Sequence, residues 1–305
     1  MEAMKEEALR QQIVDTGLTL LKEGYVARTW GNVSGRVDRK HFLITPSGLS
    51  YTLTQPVDLA LYDMEKGSYT GAYKPSSEKG IHACAYEMFP EAGFVIHTHQ
   101  TYASAFSVAG FQELKITTEE KKRLGGIAEA AYGLPGTGKL KKAVATCFEK
   151  GAHTVLLKHH GVVVVGKDKE ETLDRIRLLE EICMRNYKGH NKKEPASVVY
   201  SRLGRPLRAQ LDDMAQMIGK EIPVVRGDVR EALLHHNAVI VPREGIHVRG
   251  KDKEDTQALK ILVEKAAVTA LHCRSLGGGE KLSVFDTTLM HLVYEYKYSK
   301  KKEGS

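Results

Sequence analysis

Two stretches of the chain lie 84 residues apart and align without a gap: HTVLLKHHGVVVVGKDKEET from His153 and NAVIVPREGIHVRGKDKEDT from Asn237. Each reads as an apolar strand, a break and a second strand, and each runs into a long helical pattern. The pentapeptide GKDKE is common to both, with matched flanks. A chain that uses this frame twice is constrained to strands and helices in alternation, and its second half is predicted to be a partial duplication of the first. The copies differ at the turn. The first holds His159, His160 and Gly161; the second holds Arg243, Glu244 and Gly245. Potential metal ligands stand in one turn and an ion-pair candidate in the other, so the histidines are not needed to make the fold.

The other segments fit the same alternation. MEAMKEEALRQQIVDTGLTLLKEG is an amphipathic helix pattern, with Leu9, Ile13, Leu18 and Leu21 near helical spacing. HFLITPSG (41–48) reads as a strand entering a turn. PSSEKGIHACAYEMF (75–89) reads as a helix, capped by Ser76 or Ser77, with Glu78 in its first turn where the charge suits the dipole. GFVIHTH is a strand, TYASAFSVAG a short helix, and KLKKAVATCFEKG and KEETLDRIRLLEEICMRNY are helices. The polar stretch 188–198 reads as a linker. The 305 residues therefore divide into a first domain over 1–190 and a smaller α/β partial repeat over 199–305.

Composition narrows the partners. Apolar residues at 42% support a packed core, and the net charge of +7 suits an anionic partner such as a sugar phosphate or a nucleic acid. The surplus is local, in KGHNKKE (188–194) and KYSKKKEGS (297–305), which read as a solvated linker and tail. The aromatics of a base-stacking platform are not interleaved with these lysines, which argues against nucleic acid. Cys84, Cys147, Cys183 and Cys273 show no CxxC spacing, as expected of reduced thiols in a cytoplasmic protein. No apolar run is long enough to cross a bilayer, so no membrane partner is expected.

The chemistry resides in a few side chains. Alternate residues on a strand share a face, so His97 and His99 should point the same way. His-x-His is a metal-ligand spacing, and a catalytic zinc commonly takes three protein ligands with one position open. An isolated pair is more often two polar caps bonded to the backbone. The second cluster, His159–His160, also stands at a strand end, and only one of the two should join the site; spacing does not choose between them. Glu78 near a zinc could be ligand or general base, and alone it reads as a helix-dipole partner. Ser76 and Ser77 at a helix start offer either an anion site or a simple cap.

GNVSGR (31–36), TPSG (45–48), PSSE (75–78), HTH (97–99) and HHG (159–161) occur in that order. Together they resemble the class II aldolase/adducin family, in particular its zinc-dependent sugar-phosphate aldolases of the L-fuculose-phosphate type, over roughly residues 5–187. The resemblance implies a central β-sheet flanked by helices. It implies zinc, one ion per chain with another divalent metal as the alternative, held by His97, His99 and His160. It implies Glu78 as the acid/base, and Asn32, Ser47, Gly48, Ser76 and Ser77 around the substrate phosphate. AAYGLPGTG (130–138) resembles the segment with a tyrosine that protonates the leaving aldehyde's oxygen, which points to Tyr132. Members are typically tetramers, so a homo-oligomer is expected.

The implied reaction is retro-aldol cleavage of a ketose 1-phosphate to dihydroxyacetone phosphate and an aldehyde, making the chain a carbon–carbon lyase. Tyr102 and Phe106 are candidates for an apolar wall at the aldehyde end. A pentulose-phosphate 4-epimerase on the same scaffold is the nearest alternative, but epimerases resemble PSSD where this chain has PSSE. A methylthioribulose-phosphate dehydratase, a decarboxylase and a metal-free, adducin-like assembly module are the others. Single-domain members end soon after the helix that closes near Tyr187, and residues 199–305 have no catalytic reading. Packing is their default role.

Overall fold

The computed structural model describes residues 2–299. The chain forms two compact units, Met1–Ala103 with Leu114–Arg185, and Ser104–Glu113 with Asn186–Ser305. The first contains α1 (Glu2–Lys22), β1 (Asn32–Arg36), β2 (His41–Ile44), β3 (Ala60–Asp63), β4 (Ser68–Thr70), α2 (Lys79–Met88) and β5 (Phe94–Thr98). After α3 (Thr101–Ala109), it continues with α4 (Thr118–Arg123), β6 (Ile127–Ala130), α5 (Gly138–Glu149), β7 (Thr154–Leu157), β8 (Gly161–Gly166) and α6 (Lys169–Asn186).

The eight strands make one sheet in the order β4-β3-β2-β1-β5-β8-β7-β6, antiparallel throughout except between β6 and β7. The run GVVVVG explains its place in the middle. All four valines are fully buried, and Val163 and Val165 join the core that α2 and α5 cover while Val162 and Val164 face the other way. A strand without polar alternation needs cover on both faces. The expected central sheet flanked by helices is what forms.

The register decides what meets what. Asn32 pairs with His97, and His97 with Val163; Ser34 pairs with Val95 two residues on. Residues directly opposite share a face, so Asn32, Ser34 and His97 all point toward α2.

The helix after PSSE starts later than the sequence suggests. It begins at Lys79, its N-cap is Glu78, and no side chain caps it. The expected cap at Ser76 or Ser77, with Glu78 inside the first turn, is thus corrected. The cause is a short bridge between Pro46 and Pro75, with Ser76 N donating to Thr45 O (3.1 Å) and Ser47 N to Lys74 O (2.8 Å). That pairing keeps Pro75 and Ser76 extended, and Ser76 Oγ accepts from Glu78 N (3.2 Å) in the turn that follows.

The second unit contains α7 (Ala196–Ser201), β9 (Leu207–Arg208), α8 (Asp212–Met217), β10 (Glu221–Ile222), α9 (Val229–His235), β11 (Ala238–Val241), β12 (Gly245–Val248), α10 (Lys253–Ser275) and α11 (Val284–Ser299). Its hairpin pairs Ala238 with Val248 and Val241 with Gly245, each 84 residues beyond the pairs Thr154–Val164 and Leu157–Gly161 of β7 and β8. The left-handed turn residues, His159 (φ 63°) and Arg243 (φ 71°), are offset by the same amount. The Arg243–Glu244 ion pair does not form; Glu244 instead approaches His247 Nε2 at 3.7 Å. Phe106 is fully buried in this unit, its ring centroid 4.4 Å from that of His272, which removes it from any substrate-facing wall. Lys265 and Asp213 form a buried ion pair between α10 and α8. All four cysteines are free and buried. Among the described residues, no helix is long and apolar enough to cross a membrane.

Candidate active site

Three imidazoles meet where β5 ends and β8 begins. His97 lies on β5, His99 just past it with its N–H bonded to Tyr25 O (2.9 Å), and His160 one residue before β8. Their ligand atoms lie within 4.8 Å of one another, and all three side chains are buried. The sequence left His159 and His160 undecided, and the turn decides between them. His160 N donates to Leu157 O (2.9 Å), while His159 takes the left-handed conformation, rare for a residue with a Cβ. That rotation sets the His159 ring edge-on against Tyr132 at 5.5 Å and leaves His160 in the cluster. Gly161 allows the close approach: a Cβ there would stand 2.3 Å from Thr98 O.

The donor set fits a cation. His97 Nδ1 donates to Val162 O (2.9 Å), since a carbonyl can only accept. Its Nε2 then carries a lone pair, and that lone pair faces His99 Nε2 at 3.0 Å and Glu78 Oε2 at 3.2 Å. Glu78 Oε1 is buried without a hydrogen bond, 3.6 Å from His160 Nε2. Nitrogen lone pairs and a carboxylate crowded in this way repel unless a shared proton or a cation sits among them. The three nitrogens suit zinc, and the backbone bond of His97 is the orienting contact such ligands use.

Glu78 is held in turn by a buried chain of hydrogen bonds that the sequence reading missed. Glu78, His82 and Tyr86 recur every four residues along the start of α2, and Asn32 and Ser34 every two along β1. Four helical residues rise about 6 Å and two strand residues about 6.8 Å, so the rows match. Asn32 Nδ2 donates to Glu78 Oε2 (3.1 Å), His82 Nε2 to Asn32 Oδ1 (2.5 Å), Ser34 Oγ to His82 Nδ1 (2.6 Å) and Tyr86 Oη to Ser34 Oγ (2.8 Å). The carboxylate sets every direction. It can only accept, so the Asn32 amide must offer its nitrogen to Glu78 and its oxygen to His82, which fixes the tautomer of His82. Burial pushes the His82 pKa down to about 3, so the ring is neutral. For Glu78, burial acts upward, while His97, His160 and the Asn32 amide act downward and prevail.

The other candidates fall on two sides of this core. The Pro46–Pro75 bridge brings the TPSG and PSSE loops together, with Ser47 and Ser77 exposed and Ser76 buried. A Cβ on Gly136 would lie 3.3 Å from that of Ser77, so the loop after β6 borders the same corner. Asn32 differs from the serines: both ends of its amide are engaged with Glu78 and His82. Tyr51 was not anticipated. Its hydroxyl is buried without a hydrogen-bond partner, and burial and the Glu78 charge both raise its pKa. Trp30 stacks against His99, ring centroids 6.3 Å apart.

Comparison with known proteins matches residues 11–187 to the class II aldolase and adducin N-terminal domain. The chain belongs to that family. It is an enzyme of the class II aldolase type, a lyase. It is 32% identical over 193 residues to the L-ribulose-5-phosphate 4-epimerase UlaF of Salmonella paratyphi C, a match covering 58% of this chain and 83% of that protein. It is 34% identical over 169 residues to the L-fuculose phosphate aldolase of Methanococcus maripaludis, covering 55% of this chain and 91% of the relative. Among solved structures, an L-fuculose 1-phosphate aldolase superposes with a TM-score of 0.55 at 25% identity, covering 62% of this chain and 89% of the other. YgbL from Klebsiella pneumoniae superposes with the same score at 26% identity, covering 59% and 88%. Residues 188–305 lie outside the family match.

Proposed function

We propose that the chain is a zinc-dependent aldolase that cleaves a ketose 1-phosphate to dihydroxyacetone phosphate and an aldehyde. The observation that supports this best is the Glu78 carboxylate, poised 3.2 and 3.6 Å from two of three converging histidines and, among the described residues, accepting a hydrogen bond from Asn32 alone. His97, His99 and His160 would hold the metal. When bound, zinc would supply Lewis acidity toward the carbonyl and adjacent hydroxyl oxygens of the substrate. Glu78 moves the proton on the carbon that becomes part of dihydroxyacetone phosphate, and Asn32, braced by His82, Ser34 and Tyr86, fixes the carboxylate's orientation. The phosphate binds where the TPSG and PSSE loops meet, at Ser47, Gly48, Ser76 and Ser77, which places the reacting carbons. Tyr132, set by its contact with His159, takes the proton from the hydroxyl that becomes the aldehyde oxygen on cleavage and returns it in the reverse direction. The protein acts in the cytoplasm as a homo-oligomer.

Residues 199–305 are a degenerate, metal-free copy of the β7–β8–α6 segment and its surroundings. The shared 84-residue offset of strand pairs and turn residues supports this.

The similarity to UlaF favours a second reading, epimerisation at carbon 4 of a pentulose phosphate. One assay separates the two. The zinc-loaded protein is mixed with a panel of ketose 1-phosphates and, separately, with L-ribulose 5-phosphate. Release of dihydroxyacetone phosphate from a ketose 1-phosphate supports the aldolase; conversion of L-ribulose 5-phosphate to its 4-epimer with no release from any ketose 1-phosphate overturns it.

A further inference from the structure

The second unit holds a cavity of about 750 Å³ whose residues take no part in the site above. Four cations line it, Arg205, Arg208, Arg274 and Lys281, against one acid, Glu221. Arg208 shares Glu221 at 3.7 Å; Arg205, Arg274 and Lys281 make no ion pair among the described residues. Cations gathered on a concave wall repel one another, and the concavity focuses their field.

The remaining walls describe the rest of the ligand. Gly277 and Gly278 border the cavity at φ 93° and 114°, and a Cβ on either would meet nothing within 4 Å. Bare backbone there lets a bound group come close. Tyr200 and Leu207 are buried at 4% and 1% exposure and form an apolar floor. Tyr200 Oη donates to Pro206 O (3.0 Å) and lies beside the Arg205 and Arg274 side chains, which fixes the ring under the cations. The volume lies within the range of small-ligand sites. No exposed aromatic face lines the cavity, as a groove for single-stranded nucleic acid requires.

We propose that this cavity binds a phosphorylated small molecule, its phosphate on Arg205, Arg274 and Lys281 and its organic part over Tyr200 and Leu207. Three unpaired cations on one wall suit the charge of a phosphate or diphosphate better than a single carboxylate, and guanidinium groups match phosphate oxygens in pairs. The proposal does not depend on the reaction assigned to the histidine site.

The test is calorimetric titration of the full-length, metal-free protein with inorganic pyrophosphate and with adenosine diphosphate. Three proteins are compared: wild type, Ser76→Ala/Ser77→Ala, and Arg205→Ala/Arg274→Ala. Both probes should bind the cavity with equal affinity in wild type and the serine variant, where only binding at the Ser76–Ser77 corner is removed, and the arginine variant should lose about tenfold or more in cavity affinity, the worth of one lost charged hydrogen bond. Lys281→Ala, at an exposed position, gives the same answer if the double variant misfolds. Equal affinity in the arginine and Lys281 variants, loss in the serine variant alone, or no binding to wild type at millimolar probe would overturn the proposal. So would an oligonucleotide that binds through these arginines and is not displaced by either probe.

Discussion

Acid should destabilise the first unit through one residue in particular, His82. Its ring has no exposed surface, accepts from Ser34 and donates to Asn32, and is held neutral with a pKa of about 3. In the unfolded chain the same ring titrates near its ordinary value of about 6.5. Because the folded value is the lower one, the unfolded state takes up the proton first. His82 therefore favours the fold at neutral pH, and that advantage fades as pH falls from about 6.5 toward 3, by up to about 1.4 kcal/mol per unit. At about pH 4.5 the loss amounts to about 2.7 kcal/mol. His82→Gln removes the titration but keeps a donor for Asn32 and an acceptor for Ser34. Urea unfolding at pH 7 and about pH 4.5 can be followed by Trp30, the chain's one tryptophan, which is buried in this unit. Wild type should lose about 2–3 kcal/mol more between the two conditions than the variant does. Equal losses would refute the reasoning, as would a His82 ring that titrates near its ordinary value by NMR.

Metal content should separate the two histidines of the turn: His160→Ala should lose bound zinc and His159→Ala keep most of it, measured by elemental analysis after zinc loading. Glu78→Gln should fold and bind zinc while turnover falls by roughly two to four orders of magnitude, the contribution of a positioned acid/base. Cutting the chain near Pro195 should leave residues 1–194 able to hold zinc but less stable, because Phe106 then lacks His272; uncovering one such ring costs about 2–3 kcal/mol, read from thermal unfolding. The isolated segment 199–305 should bind no zinc, since Arg243 and Glu244 stand where the first copy has His159 and His160.

Much of this was legible in the sequence because it depended on local patterns. The apolar run of β8, the long helices and the 84-residue offset are periodicities, and they required no knowledge of pairing. The meeting of His97 and His99 with one histidine of the 159–160 pair needed only a shared edge between two strand ends; the choice of His160 came from the family resemblance. What was not legible depended on the register between elements far apart. Glu78 looked like a first-turn residue because nothing in PSSE announces that Pro75 will bridge to Pro46 and delay the helix. His82 looked like one more helical residue, since its partners Asn32 and Ser34 lie about 50 positions earlier and share its face only once β1 is paired with β5. Phe106 looked available to substrate because its partner, His272, belongs to the part of the chain for which the motifs give no role.

The central claim is that Glu78 moves a proton on the carbon beside a ketone, and dihydroxyacetone phosphate tests it without knowledge of the aldehyde. The zinc-loaded protein is incubated with that compound in deuterium oxide, and the hydrogens on its hydroxymethyl carbon are followed by proton NMR. One of the two should exchange for deuterium with wild type, and the exchange should slow at least a hundredfold with Glu78→Gln, the lower end of an acid/base contribution. No exchange with the zinc-loaded wild type, or equal exchange in the Glu78→Gln variant, would contradict the account.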